Sequence, residues 1–347
     1  SRVPLALFFV YFLDLDIVGV IITMVLSYTI IISLQLYYAK NSLHGIFEIN
    51  HLKKWLKFSW IPLYPAISGF MFIFDVLIFT LIIGSISGLA IYAVSQTIGR
   101  LLSASAQISR ASYPKLLQGG KMDYLQHNFT YLFYIMIPFA ALSIIFAKPG
   151  LFVLNPIYSE ATIIVILIVF KTFLITISDG TLVRYLYGVE EVDRDKTSSF
   201  KDYVKSKLFV LPTIRIITFS SYLLILSIGL LFLKNYSLSE IDFIMWWIIL
   251  SIVPLIPYNV YIYRLARTKL NIKFEIKLIS KYIISSIIVF GLIYLLMNKI
   301  LVYNENILIF IPSLLNSCAV SNKGKPIIPE KLPLMVSIKV LAKPWIA

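Results

Sequence analysis

Three ionisable residues stand where this chain is otherwise most apolar. Asp75 interrupts the run Gly-Phe-Met-Phe-Ile-Phe-Asp-Val-Leu-Ile-Phe-Thr-Leu-Ile-Ile that starts at Gly69, Arg100 closes Ile98-Gly99-Arg100, and Lys171 follows Thr162-Ile-Ile-Val-Ile-Leu-Ile-Val-Phe170. Groups of this kind are costly in lipid, face a bundle interior or an aqueous cavity, and pair with one another. Arginine offers a planar fork of donors that matches phosphate, and lysine a compact point charge. Arg100 and Lys171 are therefore candidates to hold a phosphate-bearing headgroup, with Asp75 beside them. The competing reading makes Asp75 and Arg100 a structural ion pair and lets Lys171 snorkel to an interface.

The element that must position two of these residues runs from Leu56 to Gly120. It opens Leu56-Lys57-Phe58-Ser59-Trp60-Ile61-Pro62, turns at Gly84-Ser85-Ile86-Ser87-Gly88 and leaves through Arg110-Ala111-Ser112-Tyr113-Pro114-Lys115. Each arm can cross a bilayer, because roughly 20 helical residues span its ~30 Å hydrocarbon core. At about 1.5 Å per residue, Asp75 lies ~12 Å, Arg100 ~18 Å and Lys171 ~15 Å from the same boundary, so the three share a depth. Asp179 and Arg184 fall toward the opposite end of the Lys171 helix. Arg184 and Arg215 read as edge residues whose charges reach back to the interface.

The remaining chain repeats the pattern. Apolar segments recur at Ile17–Tyr38, Tyr124–Phe146 (with Pro138 as a kink), Ala161–Arg184, Phe209–Leu233, Phe243–Tyr263 (containing Pro254 and Pro257) and Tyr282–Ile300. Ile307–Val320 is too short for a confident span, Val3–Leu13 reads as the end of a truncated helix, and Asp14-Leu15-Asp16 as a tight turn. The chain is 59% hydrophobic with a mean hydropathy of +0.87, which excludes an ordinary soluble domain. Its net charge of +14 lies in the connections and points to a membrane rather than to nucleic acid. Lys and Arg number 4 in 40–57, 3 in 110–127, 6 in 184–207 and 6 in 264–281, against 1 each in 148–160, 234–242 and 299–306. This alternation places the basic set in the cytoplasm. Trp55 and Trp60 at the inner edge, and Trp246 and Trp247 at the outer, read as interfacial anchors. The single cysteine, Cys318, excludes an intramolecular disulfide, and His44, His51 and His127 fall at loops or helix edges, away from any intramembrane metal or general base.

The entry Leu56-Lys57-Phe58-Ser59, the Asp midway in Phe-Asp-Val-Leu-Ile-Phe-Thr-Leu-Ile-Ile-Gly-Ser, and Gly88-Leu-Ala-Ile-Tyr-Ala-Val-Ser-Gln-Thr-Ile-Gly-Arg-Leu-Leu102 resemble the seventh and eighth helices of polysaccharide and lipid-linked-oligosaccharide flippases of the multidrug/oligosaccharidyl-lipid/polysaccharide exporter superfamily. Leu151-Phe-Val-Leu-Asn-Pro-Ile-Tyr-Ser-Glu-Ala161 and the following helix, which ends in Tyr-Gly, extend the likeness, which covers residues 1 to 265. The resemblance implies an all-α polytopic transmembrane bundle of 8–9 spans, similar to the C-terminal lobe of a 14-helix inverted-V flippase. On that plan 1–38 ends a truncated N-terminal lobe, 39–57 is a cytoplasmic basic linker, and 58–265 a six-helix lobe. Residues 266–320 add further helices and 321–347 form an irregular tail. It further implies a chain of the cytoplasmic membrane that helps move a polyprenyl-phosphate-linked oligosaccharide for cell-surface polysaccharide synthesis. Arg100, Lys171 and Asp75 would bind the substrate, membrane lipids would be partners, and there would be room for a coupling ion but no cofactor or nucleic acid. Alternating access needs two halves, so this chain alone is expected not to transport. Two alternatives stand beside it. A multidrug and toxin extrusion exporter would favour an acidic cavity. A membrane-embedded glycan polymerase or ligase would need a large external loop or an intramembrane histidine, so an enzyme is not expected.

Overall fold

The computed structural model describes residues 2–40, 60–107, 122–188 and 200–300, with single helical positions at 49, 53 and 56. Most of the expected linker, the Arg110–Lys121 exit, the 190–199 loop, the Ile307–Val320 run, the tail and Trp55 lie outside the described residues, as does the side chain of Trp60. Among the described residues every regular element is helical, and seven helices are long and apolar enough to cross a membrane. These are the features of a multi-pass membrane protein.

By contacts the chain divides into two compact units, Ser1–Trp60 and Ile61–Ala347. In the first, α1 (Arg2–Ala6) continues as a π-helical stretch, Leu7–Phe12, and α2 spans Asp16–Ala39. Asp14 and Asp16 adopt positive φ of 50° and 44° in the expected tight turn, a conformation that Asp tolerates better than most residues. A Cβ on Gly19 would stand 2.8 Å from the Phe9 carbonyl oxygen, so the close approach of the two elements depends on that glycine.

The second unit contains α3 (Trp60–Ile82), α4 (Ile86–Ser103), α5 (Met122–Ile145), α6 (Ala147–Leu154), α7 (Thr162–Ile177), α8 (Val183–Gly188), α9 (Phe200–Lys205), α10 (Lys207–Leu233), α11 (Glu240–Ile252), α12 (Leu255–Leu270) and α13 (Ile276–Ile300). Helix α7 is the hub and touches α4, α5, α11 and α12. Its contact with α4 is close because Gly99 leaves room: an added Cβ would meet Ile168 Cγ2 at 2.5 Å. Helix α4 is not among the seven apolar spans, although its 18 residues cover about 27 Å. It buries Ile91, Tyr92, Ser95, Gly99 and Leu102 on one face and shows Thr97, Arg100 and Leu101 on the other, an amphipathic pattern that lowers its mean hydropathy.

Two local devices shape this unit. Pro138 lies inside an unbroken α5, whereas Pro254 separates α11 from α12. Between α7 and α8 the helix widens into a π turn, Ser178–Leu182, in which Thr181 Oγ1 reaches the Thr176 carbonyl five residues back at 3.0 Å. Such turns insert one residue into the helical ladder and redirect the side chains around it. Here the redirected side chain is Asp179. At the other end, Ser85 and Ser87 donate to the carboxylate of Glu240 and tie the hairpin tip to the start of α11.

Candidate functional site: a cationic track inside the helix bundle

Helix α3 reaches the bundle through long side chains. Tyr64 stacks on Phe209 with centroids 4.7 Å apart, Phe72 meets Phe219 edge-on at 4.3 Å, and Phe79 stacks on Trp247 at 4.6 Å. Between Phe72 and Phe79 lies Asp75, which is 2% exposed. Its carboxylate accepts a 3.0 Å hydrogen bond from Tyr222 Oη, which itself accepts one of 2.8 Å from Trp247 Nε1. Trp247 is fully buried between Phe79 and Tyr92, which corrects its expected role as an outer anchor; Trp246 is 38% exposed. An indole N–H only donates and a carboxylate only accepts, so Tyr222 is the one relay that satisfies both.

Lys171, on the hub helix, sits with its ammonium 5.7 Å from the Tyr222 ring centroid and interacts electrostatically with Asp75. It is therefore an interior cation rather than one reaching for the membrane edge. Arg100 takes another course. Among the described residues no ion pair joins it to Asp75; its guanidinium is exposed and makes a 3.4 Å hydrogen bond to Gln96, one turn earlier. The expected alternative of an Asp75–Arg100 pair is thus overturned: the buried carboxylate is served by Tyr222 and Lys171 instead.

The structure nevertheless brings Arg100 and Lys171 to one cavity. A space of about 130 Å³ is lined by both, with Tyr92, Gln96 and Thr172. Lys171 also lines a small neighbouring cavity of about 30 Å³ with Asp179, Arg215 and Tyr222. Asp179 and Arg215 in turn border a third, of about 160 Å³, that includes Arg184. Shared wall residues join the three into a track, with Arg100, Lys171, Arg215 and Arg184 along it. Asp75 stands behind Tyr222 and Asp179 in the wall.

The π turn explains the middle of the track. It presents Asp179 to Arg215 Nε at 3.2 Å and to Tyr258 Oη at 2.5 Å. The Arg215 guanidinium also lies 5.8 Å from the Phe219 ring centroid. Arg215 is thus held inside the bundle, contrary to its expected place as an edge residue, and Arg184 also faces the cavity. The aromatic partners Tyr222 and Tyr258 were not singled out in the sequence, and Trp247 reads there only as an interfacial anchor. Aromatics at 15% of the chain are too common for type alone to reveal them. Comparisons of the chain with protein-family models, with curated proteins and with solved structures give no match in any of the three.

Proposed function

We propose that this chain forms the cation-lined half of a transporter that carries a polyprenyl-phosphate-linked oligosaccharide across the cytoplasmic membrane. The observation that carries the reading is the track itself: Arg100, Lys171, Arg215 and Arg184 line it against one lining carboxylate, Asp179, while Asp75 stands behind Tyr222. Asp179 engages Arg215, and Asp75 is held by Tyr222 beside Lys171. Arg100 donates to the neutral Gln96 and, among the described residues, forms no ion pair, so its forked donors face the cavity. A diphosphate spread along the track would meet Arg100 first and Lys171 next. Low dielectric strengthens each such contact relative to water.

Binding of farnesyl diphosphate to the purified chain tests this without requiring transport. The diphosphate should bind more tightly than farnesol, and Arg100→Ala should remove about tenfold or more of that affinity, as charge-assisted hydrogen bonds are worth roughly 1.5–3 kcal/mol. Arg100→Lys should recover part, because a point charge replaces a fork. Equal affinity for the diphosphate and the alcohol would overturn the proposal.

A further inference from the structure

A second cavity, larger than any part of the track and sharing no wall residue with it, opens between the start of α5 and the start of α13. Its volume is about 440 Å³, and its chemistry is opposite in sign. Three tyrosines, Tyr131, Tyr134 and Tyr282, line it together with Glu275, Gln126 and His127. We propose that this groove binds an alkylammonium group, presented by the headgroup of a zwitterionic phospholipid.

Glu275 is the only carboxylate between residues 243 and 300, although six Lys and Arg crowd 264–281. Its position is fixed from two sides. Phe274 inserts among Phe129, Phe133 and Tyr263, with centroids 5.3, 5.6 and 4.5 Å away, and anchors the short connection from α12. Gln126 then clamps that connection. Its Nε2 donates to the Lys273 carbonyl at 2.9 Å and to Glu275 Oε1 at 3.1 Å, while its Oε1 accepts from Lys273 N at 2.9 Å. The second carboxylate oxygen, Oε2, has no hydrogen-bond donor among the described residues and remains an open acceptor.

The tyrosines complete the site. Tyr131, Tyr134, Tyr282 and Glu275 line the same groove, and the Tyr282 phenol interacts electrostatically with the other three. Tyr134 meets Tyr282 edge-on at 5.3 Å, and His127 meets Tyr131 at 4.6 Å. An ammonium placed there gains a carboxylate, phenol oxygens and aromatic rings together. Gln126 lies four residues beyond Met122 and Tyr134 twelve, so the groove runs from about 6 to about 18 Å along α5 from its start. Tyr131 and Tyr134 are 47% and 55% exposed, which leaves the groove open sideways between the helices. This geometry suits a lipid entering from the bilayer.

The test uses the purified 347-residue chain mixed with equal amounts of dioleoyl phosphatidylethanolamine and phosphatidylglycerol, with retained lipid counted by native mass spectrometry. The ethanolamine lipid should be retained roughly fourfold over the glycerol lipid, in line with a cation–aromatic contact at a partly exposed site. Glu275→Gln keeps an acceptor for Gln126 and should erase the preference, as should Tyr282→Phe; Glu160→Gln, at the other end of the bundle, should leave it intact. Millimolar O-phosphoethanolamine separates the sources. If it displaces the lipid, the groove takes soluble amines; if it does not, the acyl chains contribute and the lipid is the ligand. Equal retention of the two lipids, or a preference that survives in Glu275→Gln, overturns the proposal.

Discussion

At the residue scale the two central cations have different duties. Lys171 acts on a buried carboxylate, whereas Arg100 is exposed and donates its side-chain hydrogen bond to a neutral group, Gln96. Lys171→Ala should therefore destabilise the protein, because it strips Asp75 of its countercharge, and adding Asp75→Asn should restore much of the loss. Arg100→Ala should leave stability unchanged. Thermal unfolding of the four proteins in detergent checks this, and a destabilised Arg100→Ala would show that its cavity role is structural. Tyr222→Phe is a sharper probe of the same network. It removes the Tyr222 hydroxyl that bridges Asp75 and Trp247 Nε1, at a cost of about 1–3 kcal/mol for each buried polar group left unsatisfied. An unaltered unfolding midpoint would contradict the relay.

At the scale of elements, the crossing of α4 over the hub helix depends on what glycine leaves out. A methyl at Gly99 would lie 2.5 Å from Cγ2 of Ile168, a β-branched side chain with little freedom to turn away. Gly99→Ala should cost about 1–3 kcal/mol through overpacking. Gly291 in α13 has nothing within 4 Å of the same added atom, so Gly291→Ala should be neutral or gain up to about 1 kcal/mol from helix propensity. Unfolding of the two variants side by side decides it; equal effects would mean that the helices are not packed this closely. The amphipathic face of α4 also bears on the count of spans among the described residues. The 8–9 spans expected include both arms of the hairpin, while the seven apolar helices omit α4, whose polar face turns toward the Arg100 cavity.

At the scale of the whole molecule, orientation follows from charge. With Cys318 replaced by Ser, a cysteine at Ser237 should be labelled by a membrane-impermeant maleimide in intact cells, and one at Ser198 should be protected. The reverse result would invert the topology and put the mouth of the groove at Glu275 on the outer surface. The hairpin tip and the start of α11, joined by Ser85, Ser87 and Glu240, would lie on the outer side in the expected orientation.

The sequence by itself determined the helical, membrane-embedded class, because roughly 20-residue apolar runs leave the backbone no other way to satisfy its polar groups in lipid. It also placed Asp75, Arg100 and Lys171 at one depth, since depth follows from rise per residue. Azimuth does not, and only the tertiary structure decided which charges face one another. Asp75 turned to Tyr222 and Lys171 instead of Arg100, Trp247 went into the core, and Arg215 turned inward to Asp179. These outcomes depend on helix rotation, which is set by packing, and on one π turn that shifts the register between α7 and α8. A one-dimensional reading of hydropathy averages around each helix and therefore carries no record of either.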